Sequence, residues 1–286
     1  MTSSPDLRAL GKTGAQVLAV SLGGEGILRT TGRSKEAVPV ILEALRLGVR
    51  YCDTAPAYEE SQDYYGSAFR EAGRGARENV FLASKVHARS RDAALALLED
   101  SLRRLGTDHL DLWQLHDLRS ELDLSAIFGK DGALKAAEEA RSEGRIRFIG
   151  LTGHHDPAII LEAMRRFPFD SVLCALNPAD TRRLPFATTV VADARARGMG
   201  VVGMKVMAAA RLLIDGVASP AELIRYAASQ TDTVIVGCSS VEEVRANLAV
   251  AHAFVPMPLP ERLELERRIA PRAARYDYFK ADGWRS

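Results

Sequence analysis

Four residues of the chain are of types that can together move a proton: Asp53, Tyr58, Lys85 and His116. Lys85 stands inside an apolar stretch, LASKVH, and a buried lysine needs a partner. A carboxylate such as Asp53 meets that need. A cation beside a phenol favours the phenolate and lowers the phenol pKa from its usual value of about 10, which suits a tyrosine general acid near neutral pH. Taken singly, each residue has an ordinary role. Asp53 can cap the turn that follows it, Tyr58 can be packing, and His116 can be a satisfied core histidine. Taken jointly, they point to proton delivery to an oxygen that is gaining negative charge.

Such side chains must be brought together by elements spread over some sixty residues. Short apolar runs recur along the chain, each ending in Gly or a polar residue: 17–24, 48–53, 79–85, 110–116, 146–152, 170–177, 199–205 and 233–237. Their ends, Gly24, Asp53, Lys85, His116, Thr152, Asn177, Lys205 and Gly237, are 25 to 36 residues apart. A strand, a loop, a helix and a return loop take about thirty residues. The runs are continuous, as in strands of a parallel sheet covered on both faces. Segments of helical spacing lie between them: 36–48, 91–106, 133–144, 157–167, 186–198, 219–230 and 240–254. Ser219-Pro220 reads as a cap with proline at the first helical position, and Ser239 or Ser240 can cap the last of these helices.

Eight strand–helix units predict a (β/α)8 TIM barrel, an α/β fold, with residues 1–286 as one domain. Residues 6–16 read as an N-terminal hairpin turning between Gly11 and Gly14, and residues 255–286 as a C-terminal tail over one end. The rival is a doubly wound dinucleotide fold. It wants GxGxxG after the first strand, and the cluster Gly23-Gly24-Glu25-Gly26 lacks that spacing. Catalytic groups of such barrels sit at the C-terminal strand ends, where Asp53, Lys85 and His116 fall.

Composition removes several other classes. Over 286 residues, 38 Lys and Arg balance 37 Asp and Glu, giving a net charge of +1, without the basic excess of a nucleic-acid binder. The hydrophobic share of 47% and charged share of 26% are those of a globular chain. The first sixteen residues are too polar for a signal peptide, and no run approaches the roughly 18 apolar residues of a membrane span. Cys52, Cys174 and Cys238 are odd in number and widely spaced, so they read as small buried hydrophobes. The expected compartment is the cytoplasm, and the sequence carries no signal of oligomeric state.

The stretches YCDTAPAY (51–58), LASKVH (82–87), DHLDLWQLHD (108–117) and GRIRFIGLTGH (144–154) resemble the aldo-keto reductase superfamily. The resemblance runs from RALGKTGAQVLAVSLGG (8–24) to the Asn247-Leu248 of RANL. It implies an Asp, Tyr, Lys, His tetrad at Asp53, Tyr58, Lys85 and His116, and reversible hydride transfer between a nicotinamide, NADP or NAD, and a small-molecule carbonyl or alcohol. Tyr58 would donate the proton, Lys85 would stabilise the phenolate, Asp53 would neutralise Lys85, and His116 would orient the carbonyl. No metal enters this scheme. His154 and His155 are adjacent and point apart on any strand, which argues against a metal pair there.

The same resemblance assigns cofactor contacts and shows departures from the family pattern. The nicotinamide anchors usual after the fifth strand, Ser-Asn, are here Thr152 and Gly153. The aromatic usual after the seventh strand is Met204, and His154, Asn177 or Lys205 can substitute for missing anchors. Gly24 lies at the first strand end. The last loop, GCSSVEEVRANL (237–248), would offer Gly237, Cys238 and Ser239 to phosphate and Asn247 to adenine. It carries Ser239 and Ser240 where a cation for a 2′-phosphate is expected, with Glu242 and Glu243 following and Arg245 the nearest cation. The tail aromatics Tyr276, Tyr278, Phe279 and Trp284 either wall a substrate pocket or dock the tail. Two other readings stand beside this one: Lys85 as a Schiff-base lysine, and a cofactor-binding redox-sensing barrel without turnover.

Overall fold

The computed structural model describes residues 7–280, and every apolar run read from the sequence is a strand in it. A hairpin of β1 (Arg8–Ala9) and β2 (Gln16–Val17) comes first. The eight barrel strands follow: β3 (Val20–Gly26), β4 (Tyr51–Asp53), β5 (Phe81–Val86), β6 (Leu110–Leu115), β7 (Ile146–Gly153), β8 (Ser171–Ala175), β9 (Gly200–Met204) and β10 (Thr233–Cys238). Each pairs in parallel with the next, and β10 returns to β3, so the sheet closes. The architecture is the expected (β/α)8 barrel with an N-terminal hairpin.

The helices in chain order are α1 (Ser34–Arg46), α2 (Ser61–Ala72), α3 (Arg91–Leu105), α4 (Glu121–Ile127), α5 (Ala133–Ser142), α6 (Pro157–Arg166), α7 (Ala192–Ala196), α8 (Arg211–Ile214), α9 (Pro220–Ala228), α10 (Val241–His252) and α11 (Leu259–Ile269). Periodicity marks most of them but not α2, α4, α8 or α11. In α2 the signal is diluted by Gly66, which a side chain could not replace: its Cβ would lie 2.3 Å from the Arg104 carbonyl oxygen on α3. The segment expected as one helix over 186–198 begins with a π-helical turn, Ala187–Val191, before α7. Ser219 forms a capping box with Glu222 at α9, and Ser240, not Ser239, caps α10.

Strand alternation explains both the core and the site. Outward residues such as Cys52, Leu82, Trp113, Ile149 and Val172 pack beneath the helices. Tyr51, Phe81, Ala83, Leu112, Phe148, Leu173, Val202 and Met204 fill the interior with Leu10 and Val17 of the hairpin. Phe81 stacks on both Tyr51 and Phe148, at 5.7 and 5.8 Å between centroids. The hairpin forms the barrel floor. Gly11 turns there with φ +49, so close to β9 that a Cβ would lie 2.2 Å from the Gly200 nitrogen. With the floor plugged and the interior packed, the other end, where the strands finish, is where chemistry has room.

The tail packs back over that end. Tyr276 and Phe279 are buried, and Phe279 sets its ring against His154 at 5.9 Å. Lys280 is buried, ion-paired with Asp180, and donates to the Leu184 carbonyl at 2.8 Å. These aromatics dock the tail, while Trp284 lies outside the described residues. The three cysteines are buried and unbridged, and burial pushes the Cys52 thiol up to about 12. No helix among the described residues is long and apolar enough to cross a membrane.

Candidate active site

Period-two alternation carries the interior face upward into a polar rim. Above Tyr51 comes Asp53; above Phe81 and Ala83 comes Lys85; above Leu112 come Gln114 and His116. The structure brings all four tetrad residues together. Lys85 and Asp53 form an ion pair buried to within 1% of full enclosure. Lys85 also donates to the Thr54 carbonyl at 2.9 Å, and its ammonium lies 4.6 Å from the centre of the Tyr58 ring. The His116 ring stands edge-on to Tyr58 at 5.9 Å. Gly24 makes this approach possible: a Cβ there would lie 2.8 Å from Tyr58 Cδ2 and 3.0 Å from the Asp53 carbonyl oxygen.

Electrostatics assign a protonation state to each group. Burial alone would lower the Lys85 pKa, but the Asp53 carboxylate and the Tyr58 phenol more than offset it, so Lys85 stays charged above its usual range. Burial pushes the Asp53 carboxyl up, opposed by Lys85 and by Gln114 Nε2, which donates to Asp53 Oδ2 at 3.1 Å. Both donors fit the ionised carboxylate, so the pair is a true ion pair. Burial holds His116 well below the usual histidine range, with Lys85 adding to the effect, so its ring is neutral. For Tyr58 the sequence-based expectation of a lowered pKa needs correcting. Burial raises it, and Lys85, by charge and hydrogen bond, offsets only part of that rise. In the resting site the phenol is protonated.

A groove of about 420 Å³ runs from Tyr58 along Met204 and Lys205 to Gly237, Ser239 and Asn247 at the start of α10. An apolar-lined groove of this size with a titratable cluster at Tyr58 is a candidate ligand site. Five of the residues expected to contact a cofactor therefore line one groove. The others are engaged elsewhere. Thr152 Oγ1 accepts the Asp117 N–H at 2.8 Å. Gly153 faces α6, where a Cβ would lie 2.4 Å from Ile160 Cδ1. Asn177 donates to the Lys205 carbonyl at 3.1 Å, so it supports the groove wall from behind. The Cys238 thiol turns inward and meets Asn247 Nδ2 at 3.4 Å.

The chain belongs to the aldo/keto reductase family. The family model, described as "Aldo/keto reductase family", matches residues 19–216. An "Uncharacterized oxidoreductase YqkF" of Bacillus subtilis is 25% identical over 85% of this chain and 90% of its own length. L-galactose dehydrogenase of Arabidopsis thaliana is 32% identical, over 52% of this chain and 48% of its own length. The holo form of aldo-keto reductase AKR11C1 from Bacillus halodurans superposes with a TM-score of 0.74 at 24% identity, covering 93% of this chain and 96% of that one. This aldo/keto reductase is thus an oxidoreductase whose family acts on small carbonyl compounds.

Some residues of the site escape a sequence reading. Gln114 is a polar residue inside the apolar run LDLWQLH, two positions before His116 and so on the same face; that was its only signal. Arg29 lies 5.1 Å from the Tyr58 ring centre and donates to Glu25 at 3.1 Å, a contact between strand end and loop that no spacing reveals. The expectation that His154 and His155 point apart is overturned. They lie beyond β7, in a bend where strand alternation does not apply, and their rings are 4.6 Å apart.

Proposed function

We propose that this enzyme reduces aldehyde or ketone carbonyls with NADPH or NADH, or oxidises the corresponding alcohols, with Tyr58 as general acid. The observation that carries this reading is the Lys85 ammonium, ion-paired to Asp53 and 4.6 Å from the centre of the ring of Tyr58, which lines the groove. A bound reduced nicotinamide supplies the hydride. The carbonyl oxygen then gains negative charge, and the Tyr58 hydroxyl gives it a proton. Lys85 stabilises the phenolate left behind, and Asp53 keeps Lys85 charged without leaving a net buried charge. Neutral His116 donates a ring N–H to the same oxygen and so orients it. In the oxidative direction the Tyr58 phenolate accepts the proton.

Met204, Lys205, Ser239 and Asn247 of the groove would hold the cofactor, Met204 covering the nicotinamide by dispersion, Lys205 meeting the pyrophosphate charge, and Ser239 and Asn247 the adenosine end. The enclosed Lys85–Asp53 pair leaves no free amine for a Schiff base. The test is loss of the reduced-nicotinamide absorbance with a panel of aldehydes, ketones and sugars. No turnover with either cofactor, despite cofactor binding, would favour a sensing role instead.

A further inference from the structure

Beside the tetrad, where the chain leaves β6 and β7, three ligating groups converge. His154 Nε2 lies 3.3 Å and His155 Nε2 3.7 Å from the same oxygen, Oδ1 of Asp117. One ligand atom from each of the three residues lies within 4.8 Å of the others. Two tetrahedral bonds of about 2.1 Å place their ligand atoms about 3.4 Å apart, close to the 3.3 and 3.7 Å from the two rings to Asp117 Oδ1. We propose that Asp117, His154 and His155 form a binding site for a divalent first-row transition ion, with Zn²⁺ the best match to the donor set.

Each ligand is held in the form a metal needs. Burial lowers His154 to about 3, and burial likewise lowers His155, so both imidazoles are neutral at pH 7. Burial opposes ionisation of Asp117, but the carboxyl is held below its usual range, with the Arg119 guanidinium acting by hydrogen bond and charge. Arg119 Nε donates to the other oxygen, Oδ2, at 2.7 Å, so the carboxylate is oriented with Oδ1 toward the two rings. Asp117 is also fixed from the backbone. Its φ is +54, and its N–H donates to Thr152 Oγ1 at 2.8 Å. Arg119 and Lys205 place positive charge nearby, which tempers affinity without altering the ligand geometry. His155 is partly exposed, which gives the ion a path in. Two His and one carboxylate, with a fourth position left to water, make a recognised donor set for Zn²⁺ or Fe²⁺.

Binding would staple the loop after β6 to the loop after β7, one residue from His116. It would therefore stabilise the fold in proportion to occupancy. The whole protein is titrated with Co²⁺, the spectroscopic substitute for Zn²⁺, and its melting temperature is measured with and without Zn²⁺. The expected result is saturable visible absorption at one ion per chain and a Zn²⁺-dependent rise in melting temperature. Both should weaken at least tenfold in ion affinity in His155→Ala, and again in His154→Gln, each folded by circular dichroism. No saturable Co²⁺ absorption, or affinity in His155→Ala equal to that of the wild type, would show that the three groups only hydrogen-bond to one another and would overturn the proposal.

Discussion

The Glu243 carboxylate accepts the backbone N–H of Ser239 at 2.7 Å, closing the loop that opens α10 with a negative charge. Arg245, the nearest cation in that loop, donates instead to Glu43 at 2.7 Å, on α1. Glu43 is held down at about 2 by hydrogen bonds from Arg46 and Arg245, so this tie stays charged at any working pH.

The cofactor prediction follows from that pair. If this loop takes the cofactor's adenosine end as proposed, a 2′-phosphate there would meet a carboxylate where a cation would bind it, whereas a ribose hydroxyl would donate to that carboxylate. NADPH and NADH should therefore differ by no more than about tenfold in kcat/KM, or roughly 1.4 kcal/mol. Glu243→Gln and Ser239→Arg should each move the preference toward NADPH. Steady-state kinetics with both cofactors on one substrate decide it; a thousandfold NADPH preference in the wild type would mean that a cation from another loop reaches the phosphate.

Tyr58→Phe removes the proton donor and little else, since the ring and its neighbours remain. Turnover should fall by a factor on the order of 10² to 10⁴ while cofactor affinity is nearly unchanged. Stopped-flow turnover and a cofactor fluorescence titration measure the two separately. Wild-type kcat in the Phe variant would remove Tyr58 from the mechanism.

Lys85→Met leaves Asp53 as an enclosed charge without its ammonium partner, a change worth about 3–5 kcal/mol of stability when the pair is buried. Adding Asp53→Asn should recover part of that stability but none of the activity. Denaturant melts of the two single variants and the double variant form the cycle. Strict additivity would contradict the pairing.

His154 links stability to acid. Its folded-state pKa, lowered by burial to about 3, lies below the ordinary 6.5. Between these values the unfolded chain binds more protons, so the contribution is complete above pH 6.5 and is lost as the pH falls toward 3. Between pH 7 and pH 5 this one residue should cost about 2 kcal/mol. His154→Gln should flatten that part of the pH profile in urea melts. An unchanged slope would mean that His154 is charged or solvated in the folded protein.

Much of this protein is legible in its amino-acid order because the relevant physics is local. A strand buried on both faces must be apolar throughout, so runs at 25- to 36-residue spacing announce a barrel. A strand end is the one place on it where polar groups tolerate burial beside open space, so Asp53, Lys85 and His116 announce the site. Other features depend on distances between segments remote in sequence. Burial by the whole barrel outweighs Lys85 in setting the Tyr58 pKa. The tie of Arg245 to Glu43 spans 202 positions and takes that cation away from the loop that opens α10. Neither the bend that turns His154 and His155 toward Asp117 nor the docking of Phe279 against His154 has a periodic signal, because both arise where the chain leaves regular structure. Periodicity reports which face a residue occupies; only the folded chain decides which charges share that face, and how much water is left between them.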